Sequence, residues 1–326
     1  MQPGEPRLVE LFPVALLDKL LETGGNMKEL TAKRNSLFRD PNKAGYLFIL
    51  PSMAIFAVFV FVPLLVSALF SVFDFDMMGN NIRFIGIDNY LKLLGDERFW
   101  NSLVNTLYYA AGTVPLQVVV SLMVALAVSR RTFFTTFCRS VFFLPAIGSM
   151  TIISIIWTFL LDNNIGIVAH YLNLLGIPTI AWLQDPVWAM PAIMMVSIWK
   201  SFGFNMVIIL AGLLGIPESY YESASIDGAK RMTQFFKITL PMLIPTLGFV
   251  LITSIISSFQ VFDQVFVMTK GGPLFKTETM VQYIYHVGFE GFEMGYASAL
   301  AEILFVIILL FSTSMFKRLR QDEQIY

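Results

Sequence analysis

Residues Tyr220–Pro245 read YYESASIDGAKRMTQFFKITLPMLIP. They form one of the few markedly polar segments in a chain that is 56% hydrophobic and 14% charged, and a long apolar run lies on either side. Ser219 and Glu222 have the spacing of a capping box, in which both side chains bond backbone amides at the start of a helix. Gly228 stands where a left-handed residue would end that helix. The pattern predicts a short helix, a turn and a second helix that leads into the next apolar run.

The composition is that of a membrane protein with several spans. The chain has 326 residues and a mean hydropathy of +0.69, and it contains several uncharged runs of membrane length. A formal net charge of −1 gives no overall field that would favour nucleic acid. The single cysteine, Cys138, excludes an internal disulfide, and we expect it to be a small apolar filler. His170 and His286 lie far apart without cysteine partners, which argues against a metal site.

Six apolar runs are predicted to form transmembrane helices, so the expected fold is an all-α polytopic membrane protein. Their approximate bounds are residues 46–72, 104–128, 141–161, 188–213, 243–267 and 296–316. The polar segment 74–103 is expected to contain a short amphipathic helix, Asn89–Leu94. A loop is predicted between Asp162 and Pro186, and Trp182 and Trp188 near its end suit an interfacial aromatic belt.

The distribution of positive charge predicts the orientation in the membrane. An even number of spans places both termini on one side, together with the polar segment around Glu222. That side carries sixteen lysines and arginines, the opposite side carries five, and Lys200 lies within a span. The positive-inside rule therefore predicts that both termini and the Glu222 segment lie in the cytoplasm.

The polar segment resembles the EAA loop of permease subunits in binding-protein-dependent ABC importers. Glu222-Ser223-Ala224 is followed after three residues by Gly228, and after nine more by Ile238-Thr239-Leu240-Pro241. The family signature reads Glu-Ala-Ala, three residues, Gly, nine residues and Ile-x-Leu-Pro, so Ser223 is the one departure. The wider stretch 216–243 is similar to the carbohydrate branch, which includes the maltose and glycerol-phosphate permeases. Residues 262–264, 269–273 and 294–299 are also similar to that branch.

The resemblance implies a non-catalytic subunit with several partners. The chain has no nucleotide site, so two copies of a separate ATPase subunit would use ATP and Mg²⁺ on its behalf. A second permease subunit would complete a heterodimer, and an extracytoplasmic solute-binding protein would deliver a sugar or oligosaccharide. The short helix would dock in a cleft of the ATPase, where Glu222 would pair with a basic residue. The residues expected to couple the permease to the ATPase are Glu222, Ala224, Gly228, Ile238, Leu240 and Pro241.

The resemblance also implies a location and a domain organisation. The protein is expected in the cytoplasmic (inner) membrane of a prokaryote, with membrane lipid around its spans. Residues 1–44 would be a cytoplasmic extension, residues 45–317 a six-span permease domain with a coupling loop at 217–241, and residues 318–326 a cytoplasmic tail. Residues 1–27 could form a surface helix interrupted by Pro13, or they could be a dispensable leader.

Polar side chains within the spans are candidates for the substrate path, because such groups are costly at membrane depth unless they face a cavity or a partner. The candidates are Asn205, Ser257, Ser258, Gln260, Asp263 and Gln264. Ser254, Ser257 and Ser258 could form one polar and aromatic surface with Phe259 and Phe262. The serines could instead permit close helix packing, with the phenylalanines facing lipid or core. Lys200 and Glu302 could line the path or pair with each other.

Other interpretations remain open at this level. The loop Thr269–Thr277, predicted to lie outside the cell, could contact the binding protein or could be a simple turn. The whole chain could be a secondary transporter or channel for a polar solute, which would give the Glu222 segment no special role. It could also be a membrane scaffold or receptor-like protein without transport activity.

Overall fold

The computed structural model describes residues 41–76, 82–130 and 132–323. Most of the predicted extension 1–44 lies outside the described residues, as does the possible surface helix within residues 1–27. The described residues fall into two units, one ending at Val66 and the other beginning at Ser67. Both candidate sites described below lie in the second unit.

Helices dominate both units. In chain order they are α1 Pro41–Phe56, α2 Val62–Phe70, α3 Asp88–Leu94, α4 Glu97–Ala127, α5 Phe133–Ile147, α6 Met150–Leu160, α7 Ile167–Leu174, α8 Ala189–Leu214, α9 Glu218–Ile226, α10 Arg231–Gln234, α11 Leu240–Phe259, α12 Asp263–Met268, α13 Met280–Tyr285 and α14 Met294–Glu323. The described ranges also contain three π-helical segments: Ala57–Phe61 joins α1 to α2, Phe235–Thr239 joins α10 to α11, and His286–Glu290 follows α13. Two short strands, β1 Phe73–Phe75 and β2 Ile82–Phe84, form an antiparallel pair.

The all-α membrane fold is confirmed. Within the described ranges, five helices are long and apolar enough to cross a membrane, and a sixth span is possible if one bent pair of helices counts as one. The five are Phe48–Phe70, Glu97–Ala127, Ala189–Leu214, Arg231–Phe259 and Met294–Lys317. Each overlaps a predicted span, because long uncharged runs are the strongest sequence signal for a membrane helix.

The third predicted span, residues 141–161, is not one straight helix. It divides into α5 and α6, whose axes differ by 96°. Pro145 lies in the last turn of α5, and Gly148 then adopts an extended conformation with φ −67° and ψ 147°. The backbone therefore leaves the helix at Gly148, and a new helix begins after Ser149.

The fifth predicted span, residues 243–267, is also corrected. Its helix begins twelve residues earlier, at Arg231, and continues through the π-helical segment to Phe259. The chain is not helical at Val261 and Phe262, and α12 is a separate short helix. Pro241 and Pro245 therefore lie within a continuous helical rod. The π-helical segment ends at Thr239, two residues before Pro241, and takes up the irregularity that a missing backbone N–H introduces.

The polar connections contain more structure than the sequence predicted. The amphipathic helix expected at Asn89–Leu94 is present as α3, and the Asn89 amide donates to the backbone oxygens of Ser71 (2.8 Å) and Phe73 (3.1 Å). The strand pair β1–β2 and helix α7 were not predicted. The rings of Trp182 and Trp188 meet edge to face, with their centroids 5.6 Å apart.

Helix α8 packs closely against α5. A Cβ atom placed on Gly203 would lie 1.9 Å from the carbonyl oxygen of Phe142, so α8 crosses α5 at a point where only glycine fits. Near the same crossing, Cys138 packs half-buried against an apolar cluster that includes Met206 and Ile209. The cysteine thus has the apolar filler role that was expected.

Candidate functional site

The short polar helix expected near Glu222 is present as α9, Glu218–Ile226. Its predicted capping box is wrong. Pro217 is the N-cap residue, with φ −60° and ψ 134°, and no side chain caps the helix. Because the chain enters the helix directly after Pro217, Ser219 is the second helical residue and cannot act as a cap.

The end of α9 was predicted correctly. Gly228 has φ +78°, in the left-handed region. The Gly228 N–H donates to the oxygen of Ser225 (3.1 Å), and the Ala229 N–H donates to the oxygen of Ala224 (2.9 Å). These two bonds are those of a Schellman motif, which satisfies the last carbonyls of a helix and reverses the chain.

Side chains fasten α9 to the helical rod that follows. The hydroxyls of Tyr221 and Thr239 are 2.9 Å apart, and Thr239 is buried. The Gln234 amide donates to Ser225 Oγ at 2.9 Å and to the oxygen of Ala229 at 3.3 Å. The inner face of α9 is therefore held against Arg231–Thr239 by hydrogen bonds of both Tyr221 and Ser225.

A neighbouring face of α9 is exposed. Glu222 is exposed, and Ile226, one turn further along, is 86% exposed. Glu222 takes part in no hydrogen bond or ion pair in the part of the chain that the structure describes. The other signature residues lie nearby: Ala224, Ile238, Leu240 and Pro241 are half-buried and Gly228 is exposed.

A second candidate site is a cavity of about 240 Å³ between the helices of the bundle. Side chains of α4, α5, α6, α8, α11 and α12 line it, and most of them carry a hydroxyl or an amide. The polar lining consists of Tyr109, Thr113, Gln117, Ser197, Lys200, Ser201, Asn205, Thr253, Ser254, Ser257, Ser258 and Gln264. Such a wall offers both donors and acceptors to a polar solute.

Hydrogen bonds fix two of the amides in the cavity wall. The Gln264 amide donates to the hydroxyl of Tyr109 (3.0 Å) and to Ser197 Oγ (3.2 Å), so it joins α12 to α4 and α8. The Asn205 amide donates to Ser254 Oγ at 3.2 Å and joins α8 to α11. The carbonyl oxygens of both amides are left available as acceptors.

The structure brings together four of the six residues expected on the substrate path. Asn205, Ser257, Ser258 and Gln264 line the cavity. Gln260 and Asp263 are not among its lining residues; both are exposed where α11 ends and α12 begins. These two residues lie outside the cavity mainly because the long helix ends at Phe259 and a separate helix begins at Asp263. The sequence pattern did not reveal this break.

Of the two arrangements that the sequence allowed on the fifth span, the single polar and aromatic surface is not formed. Phe259 is buried in an apolar cluster on another side of α11, where its ring lies 5.4 Å from that of Phe311. Phe262 lies beyond the break and stacks on Phe266 at 5.2 Å. The two rings therefore do not share a face with Ser254, Ser257 and Ser258.

Sequence reasoning missed the contribution of α4 to the cavity. Tyr109, Thr113 and Gln117 stand at positions i, i+4 and i+8, so one face of α4 presents three polar groups to the cavity. This helical spacing is visible in the sequence and could have identified them. Lys200 lines the cavity, whereas Glu302 is not among its lining residues, and the two form no ion pair.

The loop Thr269–Thr277 is more than a simple turn. The hydroxyls of Thr269 and Thr277 are 2.8 Å apart, and Thr277 is fully buried. The amides of Asn101 and Asn105 on α4 both donate to the Phe275 oxygen at 2.8 Å. The loop is therefore fastened to the beginning of α4.

Among the residues that the structure describes, no cluster of three or more histidine, cysteine or acidic side chains could hold a metal ion. His286 contacts the carboxylates of Glu290 (2.5 Å) and Glu278 (3.7 Å), far in sequence from His170.

Comparison with known proteins identifies the class of protein. Residues 42–321 match the family described as binding-protein-dependent transport system inner membrane component. The probable ABC transporter permease protein YesP of Bacillus subtilis (strain 168) is 37% identical over 298 residues, which cover 90% of this chain and 95% of YesP. The chain belongs to this permease family.

Two further comparisons describe the relatives of the permease. The lactose transport system permease protein LacF of Rhizobium radiobacter is 32% identical over 299 residues, which cover 90% of the permease and 99% of LacF. A crystal structure of a bacterial alginate ABC transporter, in complex with an alginate pentasaccharide-bound periplasmic protein, has the same fold. Its TM-score is 0.75 at 24% identity, and the match covers 86% of the permease and 94% of that chain.

Family membership decides between the interpretations of the sequence. The permease is a non-catalytic, multi-pass component of an inner membrane transport system. It is neither a secondary transporter or channel nor a scaffold. The family resemblance seen in the EAA-like segment is confirmed.

Proposed function

We propose that the permease carries a sugar or oligosaccharide across the cytoplasmic membrane through the cavity between α4, α8, α11 and α12. The observation that carries this proposal is the lining of hydroxyl and amide groups on several different helices. Sugars present many hydroxyl groups, and each needs a hydrogen-bond partner when it leaves water. The cavity supplies such partners at membrane depth, where lipid supplies none.

The relatives support a saccharide as the solute. LacF is named for lactose transport, and it matches the permease over 90% of this chain. The aromatic rings of Tyr109 and Phe204 also line the cavity, and the apolar faces of sugar rings pack well on aromatic side chains. The lining therefore suits a sugar in two ways: it can bond the hydroxyl groups, and it can pack against the apolar face of the ring.

The same proposal includes the partners and the topology. A binding-protein-dependent system needs a solute-binding protein, and the permease would work with a second permease subunit and two ATPase subunits that use ATP and Mg²⁺. The excess of lysine and arginine supports cytoplasmic termini and a cytoplasmic α9. Residues 45–317 would form the six-span domain, with the coupling loop at 217–241, between the extension 1–44 and the tail 318–326.

The ATPase would act on the exposed face of α9. Glu222 offers a carboxylate that is unpaired among the described residues, and Ile226, one turn further along, offers exposed apolar surface beside it. A carboxylate next to an apolar side chain is suited to a cleft that contains a basic residue. The bonds to Thr239 and Gln234 would pass a displacement of α9 directly to the rod Arg231–Phe259.

Coupling is tested by changing Glu222 in the complete transporter. Because Glu222 neither caps α9 nor bonds another described residue, Glu222→Gln and Glu222→Lys leave the local fold intact. We expect normal membrane insertion, and at least a tenfold loss of sugar uptake and of ATPase stimulation by the loaded binding protein. Glu218→Gln, one turn earlier on α9, is the matched control and should keep most of the activity. Full coupling in Glu222→Lys would refute the role of this residue.

The cavity is tested by removing one hydroxyl that supports no other group. Ser257 lines the cavity and makes no hydrogen bond within the described residues, so Ser257→Ala should not affect folding. Loss of one hydrogen bond to substrate, worth about 1 kcal/mol, should slow uptake roughly fivefold in proteoliposomes. Thr313→Val removes a hydroxyl that bonds only its own helix, at Leu309 and Leu310, and serves as the control. Equal uptake by both variants would count against the cavity as the path.

A further inference from the structure

Lys200 lies near the middle of a membrane helix. Helix α8 has 26 residues, and Lys200 is its twelfth. At 1.5 Å per residue, the nearer end of the helix is roughly 17 Å away. A lysine side chain cannot span that distance, so Lys200 cannot place its ammonium group at the membrane surface by snorkelling. Its charge must be accommodated at membrane depth.

The described part of the chain provides no anion for this ammonium group. Lys200 forms no ion pair or hydrogen bond there, and the pairing with Glu302 that the sequence suggested is absent. None of the fifteen lining residues of the cavity is an aspartate or a glutamate. Lys200 therefore adds the one formal charge to an otherwise neutral wall of hydroxyl, amide and aromatic groups.

A lone cation in a membrane cavity is costly unless something negative enters the cavity. Ser197, Ser201 and Asn205 lie on α8 within five residues of Lys200, and all three line the same cavity. A solute with both hydroxyl groups and an anionic group would satisfy these side chains and the ammonium group together. A neutral sugar would satisfy the hydroxyl and amide groups and leave the charge without a partner.

We propose that the solute of this permease is an anionic saccharide, one that carries a carboxylate or phosphate group, and that Lys200 determines this specificity. The inference rests on the proposed sugar transport and names the chemical class of the sugar. Lys200 holds the anionic group, and the hydroxyl and amide groups of α4, α8, α11 and α12 hold the rest of the molecule.

The test uses the complete transporter with its own solute-binding protein, reconstituted in proteoliposomes. Three radiolabelled probes are compared: digalacturonate, galactose 6-phosphate and the neutral galactobiose. Digalacturonate carries carboxylates where galactobiose carries hydroxymethyl groups. Galactose 6-phosphate shows whether any negative charge is sufficient or whether a carboxylate is required. Thermal shifts of the isolated binding protein first show which probes it accepts.

Three variants separate charge from structure. Lys200→Met keeps an unbranched side chain that is one atom shorter and removes the charge, and Lys200→Arg keeps the charge. Lys317→Met removes an exposed lysine at the last residue of the span Met294–Lys317, which does not line the cavity, and is the matched control. We expect uptake of at least one anionic probe, a loss of ten- to a hundredfold in Lys200→Met, and at least half of the wild-type rate in Lys200→Arg and Lys317→Met.

The outcomes distinguish this inference from the proposed function. Import of galactobiose alone, or equal import of an anionic probe by wild type and Lys200→Met, overturns the inference and leaves sugar transport standing. A loss of neutral and anionic uptake to the same degree in Lys200→Met also overturns it, because Lys200 would then serve the assembly and not the solute. Failure of the wild-type complex to import any neutral or acidic saccharide overturns the proposed function itself.

Discussion

The guanidinium group of Arg98 and the fully buried carboxylate of Glu278 form two hydrogen bonds, from Nε to Oε2 at 2.7 Å and from Nη2 to Oε1 at 2.6 Å. The pair joins the first turn of α4 to the residue that follows the loop Thr269–Thr277. The guanidinium also lies over the ring of Phe275, 4.4 Å from its centroid. A bidentate pair of this kind fixes both position and orientation.

We expect Glu278→Ala to lower the free energy of unfolding by about 3 kcal/mol. Removing one partner of a buried pair leaves the other charge unsatisfied, at a cost of roughly 3–5 kcal/mol, and the 37% exposure of Arg98 favours the lower end. Lys92→Met breaks the more exposed pair with Glu293 and should cost less than about 1 kcal/mol. Denaturant unfolding of the purified permease in detergent measures both, and similar values for the two variants would contradict the expectation.

We expect Gly203→Ala to be strongly destabilising. The added methyl group would meet the backbone of Phe142 at 1.9 Å, and a backbone cannot move aside as a side chain can. Overpacking should cost about 3 kcal/mol. Gly112→Ala, also in a membrane helix, meets the flexible Met194 side chain and should cost less than about 1 kcal/mol. Thermal unfolding midpoints compare the two; a stable Gly203→Ala protein would show that α5 and α8 cross less closely.

We expect Gly228→Ala to loosen the end of α9 without any steric clash. No atom lies within 4 Å of the position of the new Cβ, but φ is +78°, and a left-handed conformation costs an alanine roughly 1–2 kcal/mol. Hydrogen exchange at the Ala229 amide should therefore accelerate about tenfold.

Two further glycine variants complete that experiment. Gly228→Asn should have a smaller effect, because asparagine tolerates the left-handed region better than alanine does. Gly95→Ala is the control, since Gly95 has φ −91° and its nearest neighbouring atom is 3.8 Å from the new Cβ. Unchanged exchange at Ala229 in Gly228→Ala would mean that the Schellman motif does not hold the end of α9.

We expect Asp96 to contribute stability that acid removes. The hydroxyls of Tyr283 and Tyr296 and the N–H groups of Arg98 and Phe99 donate to its carboxylate. Burial alone would raise the pKa of Asp96, but these hydrogen bonds outweigh it and hold the pKa below 3.8. Burial and the bond to Asp96 raise the pKa of Tyr283, so its hydroxyl remains a donor.

The sign of the pH effect follows from the lowered pKa of Asp96. The folded state binds its proton less tightly than the unfolded state, so the contribution is complete above the unfolded pKa and is lost as pH falls through the folded pKa. The stability difference between wild type and Asp96→Asn should shrink as the pH falls from about 5 to about 3. Asp227→Asn, whose exposed carboxylate caps no described group, is the control. A difference that does not change with pH would refute the proposed role of the carboxylate.

The sequence located the membrane helices because long uncharged runs determine where a chain can cross a bilayer. Their ends were less predictable. Helix α4 begins at Glu97, within the segment expected to be polar and mostly irregular, because Asp96 caps it and so allows a polar first turn. The breaks at Gly148 and after Phe259 depend on packing between helices, which hydropathy does not report.

In the functional segments, too, local features were predictable from the sequence and tertiary contacts were not. The end of α9 at Gly228 was predictable because a left-handed glycine is a local requirement. Its beginning was not, since the N-cap is Pro217, two residues before the predicted cap Ser219. In the cavity, polar residues of α8 and α11 were visible as exceptions in apolar runs, but their meeting with Tyr109 and Gln264 depends on the tertiary fold.

The rod Arg231–Phe259 carries Gln234 near one end and Ser257 near the other. These two residues are separated by about 35 Å along the axis at 1.5 Å per residue. The same helix thus carries both Gln234, which fastens α9, and Ser257, which lines the cavity. A rotation imposed on this helix near Gln234 would be passed along it towards the serine hydroxyls, so that docking at α9 and affinity for the solute depend on one structural element.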